Sequence, residues 1–150
     1  MIKLIALVDS DFGISKNGTI PWSFSEDLKF FYKKTTGSIV VMGRNTFFSL
    51  SKGPLKNRIN CVISKTLEST DDIEIFYSLE EVPYQDFWII GGGQLYNYAL
   101  KNDLVDYALI SQVHDNYHAD IFINRQRLKK MSQNVLFSNA KYSIIEFYRA

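Results

Sequence analysis

The chain has little to offer several functional classes. It holds one cysteine, Cys61, and two histidines in 150 residues. A lone thiol permits no intrachain disulfide, which suits a reducing, cytoplasmic setting. It lies in Ile59-Asn60-Cys61-Val62-Ile63, an apolar run in which a buried, inert thiol is expected. The 17 Lys+Arg nearly balance the 16 Asp+Glu, for a formal net charge of +1. That leaves no electrostatic footprint for nucleic acid or an anionic membrane. The run with Arg125, Arg127, Lys129 and Lys130 reads as a solvated helix face. Met1–Val8 is apolar for too few residues to cross a bilayer and lacks a signal-peptide cleavage region, so it is expected to be a buried strand. His114 and His118 stand four apart in a strand-and-turn pattern without a third ligand, and no metal site is expected. Linkers, repeats, low-complexity tracts and a Ser–His–Asp arrangement are all missing.

What is present is ordinary for a globular protein: 46% hydrophobic and 22% charged residues. A chain of this length suffices for one domain that buries about 68–70% of its extended-chain surface. Apolar runs between turn signals predict strands at Lys3–Val8, Ile39–Met42, Ile59–Ile63, Ile73–Phe76, Phe87–Ile90, Tyr107–Val113 and Tyr142–Tyr148, with Val135–Phe137 as a further candidate. Helical patterns fall at Ser25–Lys34, Arg44–Leu50 and Gln94–Leu100, and a short turn at Leu79–Val82 stops before Pro83. Strands alternating with helices, then a strand-rich C-terminus, predict a single α/β domain over residues 1–150. Its central sheet of about eight strands should be mostly parallel, with an antiparallel C-terminal strand and flanking helices. Ligands of such sheets bind at the carboxyl ends of the strands. Residues 9–23 follow the first strand with few regular signals and read as a functional loop over that end.

Three segments carry chemistry. In the first, Ile20-Pro21-Trp22 leads into Ser23-Phe24-Ser25-Glu26-Asp27-Leu28-Lys29-Phe30-Phe31. Ser25 is a good N-cap, and Asp27 shares a helix face with Phe31. A carboxylate on an aromatic and aliphatic face is costly unless something pairs with it. As a plain first-turn acid it would be favoured by the helix dipole, a role that suits Glu26 better. The second segment is Val40-Val41-Met42-Gly43-Arg44-Asn45-Thr46-Phe47, in which a strand opens into a helix with a cation and a hydroxyl at the junction. The third, Phe87-Trp88-Ile89-Ile90-Gly91-Gly92-Gly93-Gln94-Leu95-Tyr96, places three glycines between a strand and a helix. There a backbone can approach a ligand closely and a helix N-terminus can meet a phosphate. It is not the G-x-G-x-x-G fingerprint of dinucleotide-binding folds.

In this order and spacing the three segments resemble dihydrofolate reductase, from Met1 to about Phe122 and more loosely to Ala150. The resemblance implies reduction of 7,8-dihydrofolate to tetrahydrofolate by hydride transfer from NADPH, in a monomer that antifolates inhibit and that binds neither nucleic acid nor membrane. It implies a catalytic role for Asp27, whose pKa an apolar pocket would raise, with Trp22 ordering the water that carries the proton. The pterin side would be built from Ile5, Leu28, Phe31, Leu50, Leu55 and Ile90, with Ser111 near the buried acid. Arg58 would take a carboxylate of the glutamate tail. The cofactor would lie along Ala6, Ile14 and Ile20, the junction Gly43, Arg44, Asn45 and Thr46, and the turn Gly91, Gly92 and Gly93 with Gln94, Leu95 and Tyr96. A cis bond is implied between the first two glycines. Ser64 and Lys65 would face the adenosine 2′-phosphate and favour NADPH over NADH.

The chain departs from the family pattern at several points. Gln94 stands where a basic residue is frequent, Ser15 where a loop glycine is, Leu7 where alanine is usual, and Asn124 where proline commonly follows. The Ser78–Ile90 segment is short, so its helix should be vestigial. Asp120 is the expected partner of the 9–23 loop. Two other functions stay open: a flavin-pathway pyrimidine reductase of related fold, and a non-catalytic pterin- or nucleotide-binding protein.

Overall fold

The structure is a computed structural model; it describes residues 1–15, 25–50 and 52–149, and of residues 25–27 the backbone alone. Among the described residues ten strands and four helices run in the order β1 (Ile2–Val8), β2 (Gly13–Ser15), α1 (Ser25–Thr35), β3 (Ile39–Gly43), α2 (Arg44–Ser49), β4 (Ile59–Ile63), β5 (Ile73–Phe76), β6 (Phe87–Gly91), α3 (Gly93–Lys101), β7 (Tyr107–Val113), β8 (Ile121–Phe122), α4 (Arg125–Lys129), β9 (Ser132–Ser138) and β10 (Tyr142–Tyr148). A single 3-10 turn, Leu79–Glu81, is what remains of a helix before β6, as the shortness of that segment predicts.

Eight strands form one sheet in the order β5-β4-β3-β6-β1-β7-β10-β9. The first six are parallel, and β10 lies antiparallel between β7 and β9. The expected architecture is therefore found. Alternation along each strand sends side chains to two faces. Leu4, Ala6 and Val8 of β1, Val41 of β3 and Ile89 of β6 face α3, packing on its Leu95, Tyr96, Ala99 and Leu100. Ile5, Val40, Met42 and Trp88 face the other way, towards Phe30 and Phe31 of α1. Each fully buried aliphatic side chain contributes about 1.5–3 kcal/mol. A one-residue slip of β1 would exchange its two faces at once, so its register is strongly specified.

The crossover from β1 through α1 to β3 leaves a gap that β6 later fills. The chain direction thus reverses around β1 and β6, the place in such sheets where loops diverge and a crevice opens. The structure corrects one detail of the sequence reading there. Part of the 9–23 stretch is strand, since β2 pairs antiparallel with β8. Two and three residues are too few to display alternation, and the partner lies far along the chain. The helix α4 was likewise visible only as a basic run; its Leu128 is fully buried. Ile20 and Trp22 lie outside the described residues.

Cys61 is fully buried on β4. Desolvation first, and Glu74 nearby second, push its thiol up to about 12. That makes it inert at neutral pH. Among the described residues no group of three His, Cys, Asp or Glu could hold a metal ion, and no helix is long and apolar enough to cross a membrane. The His114 ring is engaged with the Ser143 hydroxyl at 2.8 Å.

Candidate active site

Two strand-to-helix junctions stand side by side. β3 ends at Gly43, where α2 begins, and β6 ends at Gly91, two residues before the start of α3. A register shift between Val41 and Met42 brings Met42 opposite Gly91. The N-caps of α2 and α3 are Gly43 and Gly92, and neither helix has a side-chain cap. The first-turn N–H groups of neighbouring helices, with their partial positive charge, are thus left without a side-chain acceptor. The Gly91–Gly92 peptide bond is cis, as the resemblance implied. Gly91 has φ +135, a region L side chains rarely adopt, and a Cβ there would meet the Thr46 hydroxyl at 3.2 Å. Gly93 has a packing role beside the one the resemblance implied. Its absent Cβ leaves room for Ile121 Cγ2 and Ile14 Cδ1, which would be 2.5 and 2.8 Å away. It lets β2 and β8 pack on the turn.

The α3 side is fixed to the sheet by Tyr96, whose buried hydroxyl donates to the Ile5 carbonyl at 2.6 Å. Leu95, Ala6 and Ile14 share the same core, while Gln94 is exposed.

Beside the α2 junction, Gly43 pairs with Ile63 at the end of β4. This brings Arg44 to the Ser64–Thr66 turn, where its guanidinium donates to the Thr66 hydroxyl at 3.2 Å. Ser64 is buried, and its oxygen accepts the backbone N–H groups of Thr66 and Leu67 at 3.2 and 3.1 Å. The Ser64 hydroxyl therefore builds the turn, and its oxygen lies 3.4 Å from that of Thr66, either of which can donate to the other. Arg44, Asn45, Lys65 and Thr66 are the exposed members of this group. Thr66 escaped the sequence reading; the only signal was a Ser-x-Thr pair after a strand, a common self-bonding turn.

The opposite face gathers the residues expected at the pterin. Phe31, Leu50, Leu55 and Ile90 are half-buried around Ile5. Leu7 follows the parity of Ile5 and lies directly across from Ser111 of β7, itself almost fully buried. Leu28 is 46% exposed at the rim. The α1 backbone carries Asp27 on this side of the sheet; its side chain lies outside the described residues. Leu55 is held by Asn60, whose buried amide both accepts from its N–H and donates to its carbonyl at 2.9 Å.

Arg58 is anchored at the C-terminal end of α1. Its Nε donates to Thr35 Oγ1 at 2.9 Å, and its terminal nitrogens donate to the Tyr32 and Lys56 carbonyls at 2.9 and 2.6 Å. Thr35, fully buried, donates in turn to Phe31. Burial lowers the Arg58 pKa, though the nearby Tyr32 raises it in part; a guanidinium stays protonated regardless. Of its five N–H groups three are engaged, which leaves one on each terminal nitrogen.

A family model described as dihydrofolate reductase matches residues 1–143. The chain is 35% identical over 129 residues to a dihydrofolate reductase of Ureaplasma parvum, covering 82% of this chain and 81% of that protein. It is 41% identical over 95 residues to one of Mycobacterium leprae, with 58% of each chain covered. It is 34% identical over 119 residues to a bifunctional dihydrofolate reductase-thymidylate synthase of Paramecium tetraurelia, covering 75% of this chain and 26% of that longer protein. On the fold, the paired junctions and these matches, the chain belongs to the dihydrofolate reductase family, oxidoreductases that use a nicotinamide cofactor.

Proposed function

We propose that the chain, as one catalytic domain, reduces 7,8-dihydrofolate to tetrahydrofolate with NADPH. The observation that carries this reading is the pairing of two uncapped helix starts at the carboxyl ends of β3 and β6 with an apolar sheet face, beyond which an anchored arginine stands ahead of β4. The Gly91–Gly92 turn supports the fit for the cofactor: an added Cβ at either glycine would lie 3.2 Å from the Thr46 hydroxyl, so the two helix starts stand this close only without side chains there. When bound, NADPH supplies a hydride to carbon 6 of the pterin.

The residues of the chain do the rest. The first turns of α2 and α3, with Arg44, Asn45 and Thr46, hold the pyrophosphate. Gly91, Gly92 and Gly93 would hold the nicotinamide end, with Ala6, Ile14, Leu95 and Tyr96 around them and Gln94 at the edge. Ile5, Leu28, Phe31, Leu50, Leu55 and Ile90 clasp the pterin and benzoyl rings, and Ser111 bonds the pterin amino edge. Asp27 holds the amidine-like edge and favours protonation of nitrogen 5 through a water that Trp22 orders. Excluding bulk solvent strengthens each of these interactions.

Selectivity for NADPH rests on Lys65 with Arg44, Ser64 and Thr66 at the 2′-phosphate. A charge-assisted hydrogen bond to phosphate contributes roughly 1.5–3 kcal/mol. Lys65→Ala should therefore weaken NADPH about ten- to a hundredfold and leave NADH nearly unchanged. Fluorescence titration of both cofactors checks this; equal weakening would move Lys65 away from the phosphate.

Arg58→Ala should raise the Kd of dihydrofolate by about ten- to a hundredfold, on the same charge-assisted magnitude. A pterin without the glutamate tail should bind wild type and variant alike. If that truncated ligand suffers equally, Arg58 acts only as the cap of α1.

The proposed activity is tested by following NADPH oxidation with and without dihydrofolate. A saturable, dihydrofolate-dependent rate is expected. Cofactor binding without turnover would leave a non-catalytic binding protein as the better account.

A further inference from the structure

Asp9 is the only charged side chain among the described residues that is completely buried, and the proposed chemistry does not use it. It follows directly on β1. Its Oδ1 accepts the backbone N–H groups of Asp11 and Gly13 at 2.9 and 2.8 Å. Its Oδ2 accepts the N–H of Tyr117 at 3.2 Å. The first two bonds are local and fold the chain back into β2, as an Asx-type turn does. The third is not local: it reaches the loop that follows β7.

The same two segments are joined all around this carboxylate. Ser10 donates its N–H to Asp115 at 2.9 Å, and Gln112 donates to the Ser10 carbonyl at 3.0 Å. The Asn116 amide donates to Asp11 at 2.9 Å. Further along, Asp120 donates its N–H to Ser15 at 2.9 Å and Ile123 to Phe12 at 3.0 Å. The fit is close, because a Cβ on Gly13 would lie 2.3 Å from that of Ala119. The output of the clasp is Ile14. It follows Gly13, and its Cδ1 occupies the space against Gly93 that a side chain would need.

We infer that Asp9 is a positioning residue: by clasping residues 9–15 to residues 112–123 it seats Ile14 on the Gly91–Gly93 turn and holds that turn ready for the nicotinamide nucleotide. The inference rests on the reading above in which this turn binds NADPH. A carboxylate suits the position because three N–H donors converge on its two oxygens and it is acceptor-only when ionised. An asparagine keeps one acceptor oxygen. Facing that oxygen to the two local donors turns its NH2 group on the Tyr117 N–H. Asp9→Asn thus removes the carboxylate's own link between the segments and spares the turn.

The test uses the full chain. Asp9→Asn should weaken NADPH about tenfold and move dihydrofolate affinity by less than about twofold, a coupling of ordinary size for sites linked through a packed segment. Hydrogen exchange should be faster at the Tyr117 amide and little changed on β4 and β5. A purely structural role would lower the Tm and move both ligands alike, or neither, and that result overturns the inference. If Asp9→Asn fails to fold, Gly13→Ala breaks the same clasp by wedging against Ala119, and it should give the same split between cofactor and substrate; equal affinities for wild type and Gly13→Ala would overturn it as well. A wild-type chain that binds no NADPH overturns the functional reading and this inference together. A wild type that binds NADPH, with an Asp9→Asn chain that binds it equally, overturns this inference alone.

Discussion

Asp27→Asn is expected to cripple turnover at neutral pH and leave the fold intact. Asparagine is nearly isosteric with aspartate, so α1 should form and pack as before. What is lost is the negative charge that favours a protonated pterin. Single-turnover reduction should slow by roughly the 10²–10⁴ that follows removal of a positioned acid–base group. The defect has a sign with pH. As pH falls, solvent protonates the substrate without help, so the ratio of wild-type to variant rates should shrink. NADPH affinity should change little, because α1 lies on the opposite face of the sheet from α3. Rates measured from about pH 5 to about pH 9 cover the range over which such groups titrate. A variant with near wild-type rates at neutral pH, or with a defect independent of pH, would reduce Asp27 to an acid of the first helical turn.

Gly91→Ala should damage both stability and activity. The residue sits at φ +135, where an L side chain is strained whatever space surrounds it. The added Cβ would also press on the Thr46 hydroxyl at 3.2 Å and come into contact with the Tyr96 hydroxyl at 3.5 Å. Strained backbone of this kind costs about 1–3 kcal/mol. Relief by displacing Thr46 and the start of α3 would misplace the cofactor, and a shift of about 1 Å can slow a reaction about a hundredfold. Gly37→Ala separates the two effects. Gly37 has φ +77 with nothing within 4 Å of an added Cβ. It should lose stability through strain and keep its turnover. Thermal melts and steady-state rates of both variants decide the matter; similar turnover in the two would show that Gly91 is needed for the backbone alone.

The sheet was legible in the sequence because its strands are buried on both faces and read as apolar runs between turn signals. Ile39–Gly43, Ile59–Ile63 and Phe87–Gly91 lie where those runs predicted them. β2 and β8 were not legible, since two- and three-residue strands carry no period and pair only across the chain. Among the candidate site residues, the apolar ones came together because parity on a strand fixes the face. Ile5 and Ile90 could only turn towards α1. Polar residues were harder to read, because their partners are backbone atoms. Nothing in the type of Asp9 announces the Tyr117 N–H. Ser64, expected at the 2′-phosphate, also holds its own turn. Arg58, expected at the glutamate tail, is fastened to the end of α1, with two N–H groups to spare. Gly93, expected at the cofactor, also makes room for Ile14 and Ile121.

The central claim, that this chain moves a hydride from NADPH to dihydrofolate, is tested most directly by isotope transfer. NADPH doubly deuterated at carbon 4 of its nicotinamide is incubated with dihydrofolate and the purified chain, and the folate product is analysed by mass spectrometry and NMR. The account predicts tetrahydrofolate carrying one deuterium, at carbon 6, formed only when protein and both ligands are present. Unlabelled tetrahydrofolate, or no product from a chain that still binds NADPH, would contradict it.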